Sequence, residues 1–154
     1  MNAYREGGFA QFVRDEAGTL RASGGACGGG TETLIKNENV VRRLTPLECE
    51  RLQGYPDGWT DIGEWTDSKG KKHKEADTPR YKALGNSIAL PFWKVLAKKI
   101  SAQYDRDITM GSLFDGIGGF PLVFEQINGK GSARWASEIE EFPIAVTKLR
   151  FGED

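Results

Sequence analysis

A glycine-rich turn in the last third of the chain is the place where the residue types best suit chemistry. It reads Phe-Asp-Gly-Ile-Gly-Gly-Phe over residues 114–120 and lies between two apolar runs. Glycines let a ligand approach the backbone closely, and a helix that begins after them offers free N–H groups. Glu138 stands 22 residues after Gly116, where a carboxylate can accept hydrogen bonds from a ribose diol. The pattern predicts a nucleotide-containing cofactor.

Two cofactor classes compete for this turn. A dinucleotide fingerprint, G-x-G-x-x-G, needs a third glycine where the chain has Pro121. A cofactor that has no pyrophosphate, such as S-adenosylmethionine, does not need that glycine. An ordinary strand-to-helix turn that binds nothing is the remaining alternative for this segment taken alone.

Residues that could perform covalent or metal chemistry are few. Cys27 and Cys49 are the two cysteines and His73 is the one histidine, too few for a disulfide framework or a four-ligand zinc site. We therefore expect no metal and a reducing, cytoplasmic location. The chain shows no membrane-spanning apolar run and no secretory leader. Lysine plus arginine (21) nearly balance aspartate plus glutamate (22), so nucleic-acid binding would need a local concentration of cations.

The elements around the glycine turn follow an α/β pattern, and 154 residues correspond to about one domain. Residues 108–114 and 133–137 read as strands, and residues 122–127 and 142–149 read as helices. Apolar positions at helical spacing beyond Gly85 predict a further helix that extends to about residue 100.

The first half of the chain contains one clear helix signal. Thr45, Pro46 and Glu48 form a capping box with proline at the first helical position, and Gly54 is suited to end that helix. Residues 1–35 read as strands and turns that include a glycine-rich loop, for which a flexible linker is the alternative. The lysine-rich segment 69–74 reads as a polar loop, either a solvated face or a contact for nucleic-acid phosphates.

Several of these segments resemble the cytosine-5 DNA methyltransferases. SLFDGIGGF at 112–120 resembles the cofactor-loop motif of that family, and Ser137-Glu138 resembles its ribose-binding acid. RLTPLECERLQGYPD at 43–57 is similar to the ninth motif, and RYKALGNS at 80–87 is similar to the tenth. GTLRA at 18–22, with the glycine loop that follows, is similar to the end of the target-recognition region.

The resemblance implies an α/β fold that is part of a Rossmann-like, S-adenosylmethionine-dependent methyltransferase, with a glycine-rich remnant of the recognition region. Three segments follow from it: residues 1–42 as the end of the recognition-like region, 43–104 as the ninth and tenth motifs, and 105–154 as the cofactor-binding strand–helix–strand segment. In the family the cofactor loop comes first, so the order here suggests a circular permutation joined through residues 101–109. Met110 also resembles a start codon, so a fusion of neighbouring reading frames is the alternative.

The catalytic elements of the family are missing from this sequence. The family attacks cytosine C6 with a thiolate from a Pro-Cys motif, and neither cysteine follows a proline. We expect Cys49 to be a packed core thiol and assign no catalytic residue, although Cys27 lies in the recognition-like loop. The letters Glu-Asn-Val at 38–40 match another family motif but fall in the wrong place, so we interpret them as a solvated turn.

The resemblance also implies binding residues. For the cofactor they are Phe114, Gly116, Ile117 and Gly119 in the turn, Glu138 on the ribose, Ile139 on the adenine, and Asn86, Ser87 and Ile88 at the methionine end. For DNA they are Thr19, Arg21, Gly24 and Gly25, with Arg21 suited to read guanine.

Three functions follow from these observations. The first is part of a DNA (cytosine-5) methyltransferase, inactive alone, that acts on duplex DNA with S-adenosylmethionine as donor and needs a segment or chain that carries the Pro-Cys and Glu-Asn-Val motifs. The second is a non-catalytic DNA-binding or regulatory subunit that complements such a chain. The third, a Rossmann-like protein that binds a small molecule, conflicts with the ninth motif. The resemblance is compatible with a role in restriction-modification, in a phage or as a solitary enzyme.

Overall fold

A computed structural model describes residues 2–7, 11–14, 33–37 and 40–152 of the chain. Its elements, in chain order, are β1 (Asn2–Gly7), β2 (Gln11–Arg14), β3 (Thr33–Asn37), β4 (Val40–Arg43), α1 (Pro46–Gln53), β5 (Trp65–Thr66), β6 (Lys72–His73), α2 (Asp77–Gly85), α3 (Leu90–Ser101), β7 (Met110–Leu113), α4 (Gly119–Asn128), β8 (Ala133–Ser137) and α5 (Glu141–Phe151). The mixture of helices and strands confirms the α/β class. Among the described residues, no helix is both long enough and apolar enough to cross a membrane.

The N-terminal strands form an antiparallel sheet in the order β2-β1-β3-β4. Strand β3 ends at Asn37 and pairs with β4, which begins at Val40. Glu38 and Asn39 of the Glu-Asn-Val letters lie outside the described residues. The strand content predicted for residues 1–35 is confirmed for the part that is described. The recognition-like loop, which contains Thr19, Arg21, Gly24, Gly25 and Cys27, lies outside the described residues.

Helix α1 begins and ends where the sequence predicts. The Thr45 Oγ1 accepts the N–H of Glu48 at 3.3 Å, and the Glu48 carboxylate accepts the N–H of Thr45 at 2.8 Å, which completes the capping box. Gly54 ends the helix with a φ of 83°. A Cβ at Gly54 would also lie 2.7 Å from Pro91 Cδ. Glycine is therefore needed there both for the left-handed backbone and for the close approach of α3.

Three elements differ from the sequence prediction. Residues 65–74 contain a short antiparallel hairpin, β5–β6, rather than an unstructured polar loop. Helix α2 was not predicted at all. Helix α4 begins at Gly119 instead of residue 122, because Pro121 lies within the first turn, where the missing N–H would have no helical acceptor.

The last part of the chain forms a parallel pair, β7–β8, connected by α4. Its core is continuous with that of the preceding segment, because α3 packs against α4 and α2 contacts α5. The buried apolar residues of this shared core are Leu44, Cys49, Tyr55, Trp59, Ala83, Leu84, Leu90, Ala97, Ile117, Val123, Phe142 and Val146. Residues on both sides of the 102–109 connection therefore bury each other.

Candidate cofactor site

The glycine turn directly follows β7 and leads into α4. Phe114 has a φ of 53°, in the left-handed region that side chains rarely adopt, and its side chain is 78% exposed. Gly116 has a φ of 60°, and a Cβ added there would meet no atom within 4 Å. The backbone at Gly116 therefore faces open space at the carboxyl end of β7, beside an exposed aromatic ring.

Glu138 follows β8 immediately and turns its carboxylate toward the glycine turn. Its Oε2 accepts the Gly116 N–H at 2.6 Å, and its Oε1 accepts the N–H groups of Ile139 and Glu140 at 2.7 and 3.0 Å. Burial raises the pKa of this carboxyl, but the three backbone N–H groups outweigh burial, and the pKa is lowered. Glu138 is therefore ionised at neutral pH, and its Oε2 retains a lone pair for a hydroxyl donor.

The predicted residues Phe114, Gly116, Glu138 and Ile139 are thus brought to one edge of the sheet. They lie at the carboxyl ends of two neighbouring parallel strands, the usual ligand position in open α/β sheets. Ile139 is exposed there and leaves an apolar side chain beside Glu138.

Ile117 and Gly119 belong to the same turn but are directed into the protein. The Ile117 side chain is buried, and its carbonyl accepts the indole N–H of Trp59 at 2.7 Å. A Cβ at Gly119 would collide with the Tyr55 hydroxyl and with Leu90. The N–H groups of Ile117 and Gly119 have no acceptor within the described part of the chain, so these N–H groups are what the two residues can offer a ligand.

The segment that resembles the tenth motif reaches the glycine turn through Tyr55. The Tyr55 hydroxyl and the Ser87 hydroxyl are 2.5 Å apart, and the same tyrosine contacts Gly119. Burial raises the pKa of Tyr55 to about 12, so its hydroxyl keeps its proton. Asn86 is exposed at the end of α2, whereas Ile88 packs against the core. Within this segment the Asn86 side chain is therefore the one open to a ligand, whereas Ser87 and Ile88 are half-buried.

Asp115 is a residue of the turn for which the sequence predicted no role. It is 5% exposed; its Oδ1 accepts the Ser112 hydroxyl at 2.5 Å, and its Oδ2 has no hydrogen-bond partner in the described structure. Burial raises the pKa of Asp115 against the effect of Ser112, and the negative charge of Glu138 raises it further. A raised pKa in the folded state means that the ionised form of Asp115 destabilises the fold.

The Asp115→Asn variant is therefore expected to become more stable relative to the unmodified chain as pH rises. The difference in free energy of unfolding should grow from the ordinary pKa of 3.8 up to the raised pKa of the folded state, and then level off, because only the unmodified chain acquires the buried charge. Urea unfolding at a series of pH values measures it.

Asp57→Asn is the matched control with the opposite sign. The pKa of Asp57 is lowered by its hydrogen bond to Arg51, so this variant should lose stability relative to the unmodified chain as pH rises toward the ordinary pKa of 3.8, below the range in which Asp115→Asn becomes relatively more stable. A difference for Asp115→Asn that is independent of pH would contradict the assignment of a destabilising buried charge.

A buried polar cluster holds the two motif-bearing segments together. Glu50 is fully buried and accepts the N–H groups of Gly58 and Thr60, at 2.7 and 2.8 Å, together with the Thr60 hydroxyl. Arg80 donates to the Thr60 hydroxyl at 3.1 Å and lies 3.4 Å from Glu50. No local pattern in the sequence signals this cluster, because its members are far apart along the chain. Its hydrogen bonds connect α1, α2 and the backbone at residues 58–60.

The cysteine that is described is not suited to act as a nucleophile. Cys49 is 3% exposed in α1, and burial, together with the charges of Glu48 and Glu50, raises the pKa of its thiol to about 11. It is a packed core thiol, as the sequence predicts. Within the described residues, no group of histidine, cysteine and acidic side chains could hold a metal ion.

Comparison with known proteins identifies the family. The matching family is described as C-5 cytosine-specific DNA methylase, and the match covers residues 3–102. The chain belongs to this family. Members of the family use S-adenosylmethionine as methyl donor. The match includes α1, α2 and α3 and ends before β7, so the glycine turn lies beyond it.

Individual relatives are DNA methyltransferases that are much longer than the aligned region. The Type II methyltransferase M1.ScrFI of Lactococcus lactis subsp. cremoris is 32% identical over 94 residues, which cover 60% of this chain and 21% of the relative. The Type II methyltransferase M.SsoII of Shigella sonnei is 30% identical over 99 residues, which cover 64% and 23%.

A further relative is named for a different target base. The DNA N-6-adenine-methyltransferase of Escherichia phage P1 is 39% identical over 89 residues, covering 44% of this chain but 12% of the phage protein. Because most of the phage protein lies outside the aligned part, its name does not decide the target base of the shared segment. The chain spans about an eighth to a quarter of the length of these relatives.

Proposed function

We propose that this chain is the cofactor-binding part of a DNA (cytosine-5) methyltransferase, which transfers the methyl group of S-adenosylmethionine to C5 of cytosine in duplex DNA. The observation that carries the proposal is that the glycine turn packs against the segment matched by the family. The Trp59 indole donates to Ile117 O at 2.7 Å, and the Trp93 indole donates to Phe120 O at 3.3 Å.

The same contacts favour a circular permutation over an unrelated appendage. Helix α3 packs against α4, and Arg150 in α5 donates to the carbonyls of Gly58 and Trp59 at 2.5 and 2.9 Å. The last segment of this chain resembles the segment that comes first in the family. It therefore completes the core of the segment that precedes it here. A fusion of two reading frames would place the same segments together, with Met110 as the former start.

The three-segment division at 1–42, 43–104 and 105–154 remains a proposal about sequence origin. Segments 43–104 and 105–154 share one core, so the boundary between them is not a boundary between independent folding units.

The residues at the edge of the β7–β8 sheet suit the proposed cofactor. The Glu138 carboxylate would accept the ribose hydroxyls, and the N–H groups of Ile117 and Gly119, with the open backbone at Gly116, would face the polar part of the ligand. Phe114 and Ile139 would flank the adenine with apolar surface. Asn86 and Ser87, with the backbone of Ile88, would lie toward the methionine end. When bound, the cofactor supplies the activated methyl group.

One face of the β7–β8 sheet supports the need for further protein. Ser112 is buried, whereas its neighbour Leu113 on the other face of β7 and Trp135 of β8 are 63% and 55% exposed. The Trp135 ring lies across the position where Gly111 would carry a Cβ. Parallel sheets are normally covered on both faces. We infer that sequence carrying the Pro-Cys and Glu-Asn-Val motifs covers this face.

The alternative function is a non-catalytic DNA-binding or regulatory subunit whose partner chain carries the nucleophile. The uncovered face fits both functions. Coding sequence for a Pro-Cys motif contiguous with residue 154 would favour a permuted enzyme, whereas a separate chain with that motif would favour the subunit.

Binding of S-adenosylhomocysteine tests the proposed cofactor site. The Glu138→Ala variant is expected to bind about tenfold to a hundredfold more weakly, because it loses charge-assisted hydrogen bonds that are each worth about 1.5–3 kcal/mol. Isothermal titration calorimetry on the folded chain, alone or with a complementing partner, measures the dissociation constant.

The matched control is Glu140→Ala, because Glu140 is two residues away and pairs with Lys82 at 2.8 Å rather than with the turn. Its affinity should stay within about twofold of the unmodified chain. Glu138→Gln, which keeps the side-chain size, separates loss of charge from disturbance of the turn. Equal losses at both positions, or none at Glu138, would show that the ribose site is misplaced.

A further inference from the structure

The hairpin formed by residues 65–74 carries a concentration of positive charge. It contains four lysines, Lys69, Lys71, Lys72 and Lys74, and one carboxylate, Asp67. All four lysine side chains are exposed, and none of them forms a hydrogen bond or close ion pair within the described structure. We call residues 65–74 the basic hairpin.

The single carboxylate of the basic hairpin is turned inward. Asp67 Oδ1 accepts the backbone N–H groups of Lys69 and Lys71 at 3.0 and 2.9 Å, and its Oδ2 lies 2.9 Å from His73 Nε2. The Asp67 side chain is 11% exposed. The negative charge therefore organises the tip of the hairpin from inside, while the lysine side chains face the solvent.

The basic hairpin is fixed to the edge of the sheet where the cofactor site lies. Trp65 stacks on His73 with ring centroids 4.2 Å apart and meets the edge of Phe142 at 5.6 Å. Ser68 donates its N–H and its hydroxyl to Glu141, at 2.9 and 2.5 Å. Glu141 and Phe142 belong to the first turn of α5, which begins shortly after Glu138. The lysines are therefore held next to the carboxyl end of β8.

We propose that the basic hairpin binds the phosphate backbone of duplex DNA and positions the duplex beside the cofactor site. A duplex that presents a base at the carboxyl edge of the sheet must pass near this hairpin, and exposed lysines on a rigid element suit phosphate contacts. Such contacts fix position and carry no base information. The inference rests on the proposed function, and it adds a DNA-contacting element separate from residues 18–30.

Salt dependence of DNA binding tests the basic hairpin without knowledge of the target sequence. Lys71 and Lys72 are the best positions, because Lys69 already interacts electrostatically with Glu141. For Lys71→Gln/Lys72→Gln, the slope of log K against log salt for a labelled 20-base-pair duplex should become shallower by about 1 to 2. Affinity at about 0.1 M salt should fall about tenfold to sixtyfold. Fluorescence anisotropy measures both.

The matched control is Lys98→Gln/Lys99→Gln, which removes two adjacent exposed lysines from the far end of α3. Its slope should remain that of the unmodified chain, although the net charge changes equally. Circular dichroism confirms that both variants fold. Equal slopes for all three proteins, or equal losses of affinity in the two variants, would contradict only the proposal that the basic hairpin binds DNA. Failure of the unmodified chain to bind the duplex would contradict both the proposal for the basic hairpin and the DNA-binding part of the proposed function.

Discussion

Purified alone, the chain is expected to transfer no methyl groups to duplex DNA. Incorporation of tritiated methyl groups from S-adenosylmethionine should equal that of a heat-killed control. The reaction of this family requires a thiolate that attacks C6 of cytosine. Cys49 cannot supply it, because its thiol is 3% exposed and its pKa is about 11. Cys27 follows alanine rather than proline. Cys49 therefore lacks the environment of a nucleophile, and Cys27 lacks the sequence context of the family's nucleophile.

Two variants make this expectation open to contradiction. Incorporation above the control that is abolished by Cys27→Ser would show that the glycine loop supplies the nucleophile. Incorporation that survives Cys27→Ser and disappears in Cys49→Ser would require α1 to open. The positive control adds a chain that carries a Pro-Cys motif. Methyl incorporation that then depends on Glu138 would support the proposed complementation.

The largest effect on folding is expected from Glu50→Ala. This change removes the acceptor for the Gly58 and Thr60 N–H groups and leaves Arg80 buried without that partner. Loss of one partner from a buried charged pair costs about 3–5 kcal/mol, so the midpoint of urea unfolding should fall sharply or the variant should not fold.

Glu75→Ala is the control for Glu50→Ala, because Glu75 is an exposed carboxylate and its loss should change the free energy of unfolding by no more than about 0.5 kcal/mol. The free energy of unfolding of Glu50→Gln should lie between those of the two alanine variants, since glutamine keeps one oxygen acceptor and the side-chain volume. If Glu50→Ala unfolded at the same urea concentration as Glu75→Ala, the cluster of Glu50, Thr60 and Arg80 would not stabilise the fold.

Local signals in the sequence predicted the elements whose ends are set by local chemistry. The Thr45–Glu48 capping box and Gly54 gave both ends of α1, because a side-chain cap and a left-handed glycine act within one helical turn. The strand at 133–137 and the glycine turn are likewise predicted from residue types within each segment. The acid at Glu138 follows from spacing along a β–α–β unit.

The elements that the sequence did not predict depend on distant partners. Helix α2 has few apolar residues, and one of its buried side chains is the charged Arg80, which sequence patterns assign to the surface. Its partners, Glu50 and Thr60, lie 30 and 20 residues earlier. The orphaned oxygen of Asp115 is equally invisible in the sequence, because it results from how completely the surrounding residues pack.

The hydrogen bonds from Arg150 to the turn that contains Trp59 affect folding during synthesis. The guanidinium donates to the carbonyls of Gly58, Trp59 and Asp61 and lies 5.6 Å from the centroid of the Trp59 ring. Because Arg150 is 91 residues later than Trp59, a ribosome that adds about 5–20 residues per second delivers it about 5–18 s after the turn. Throughout that interval the nascent chain exposes an unfinished core to chaperones and proteases, and the segment that waits for its partner is the family-matched one that contains Trp59.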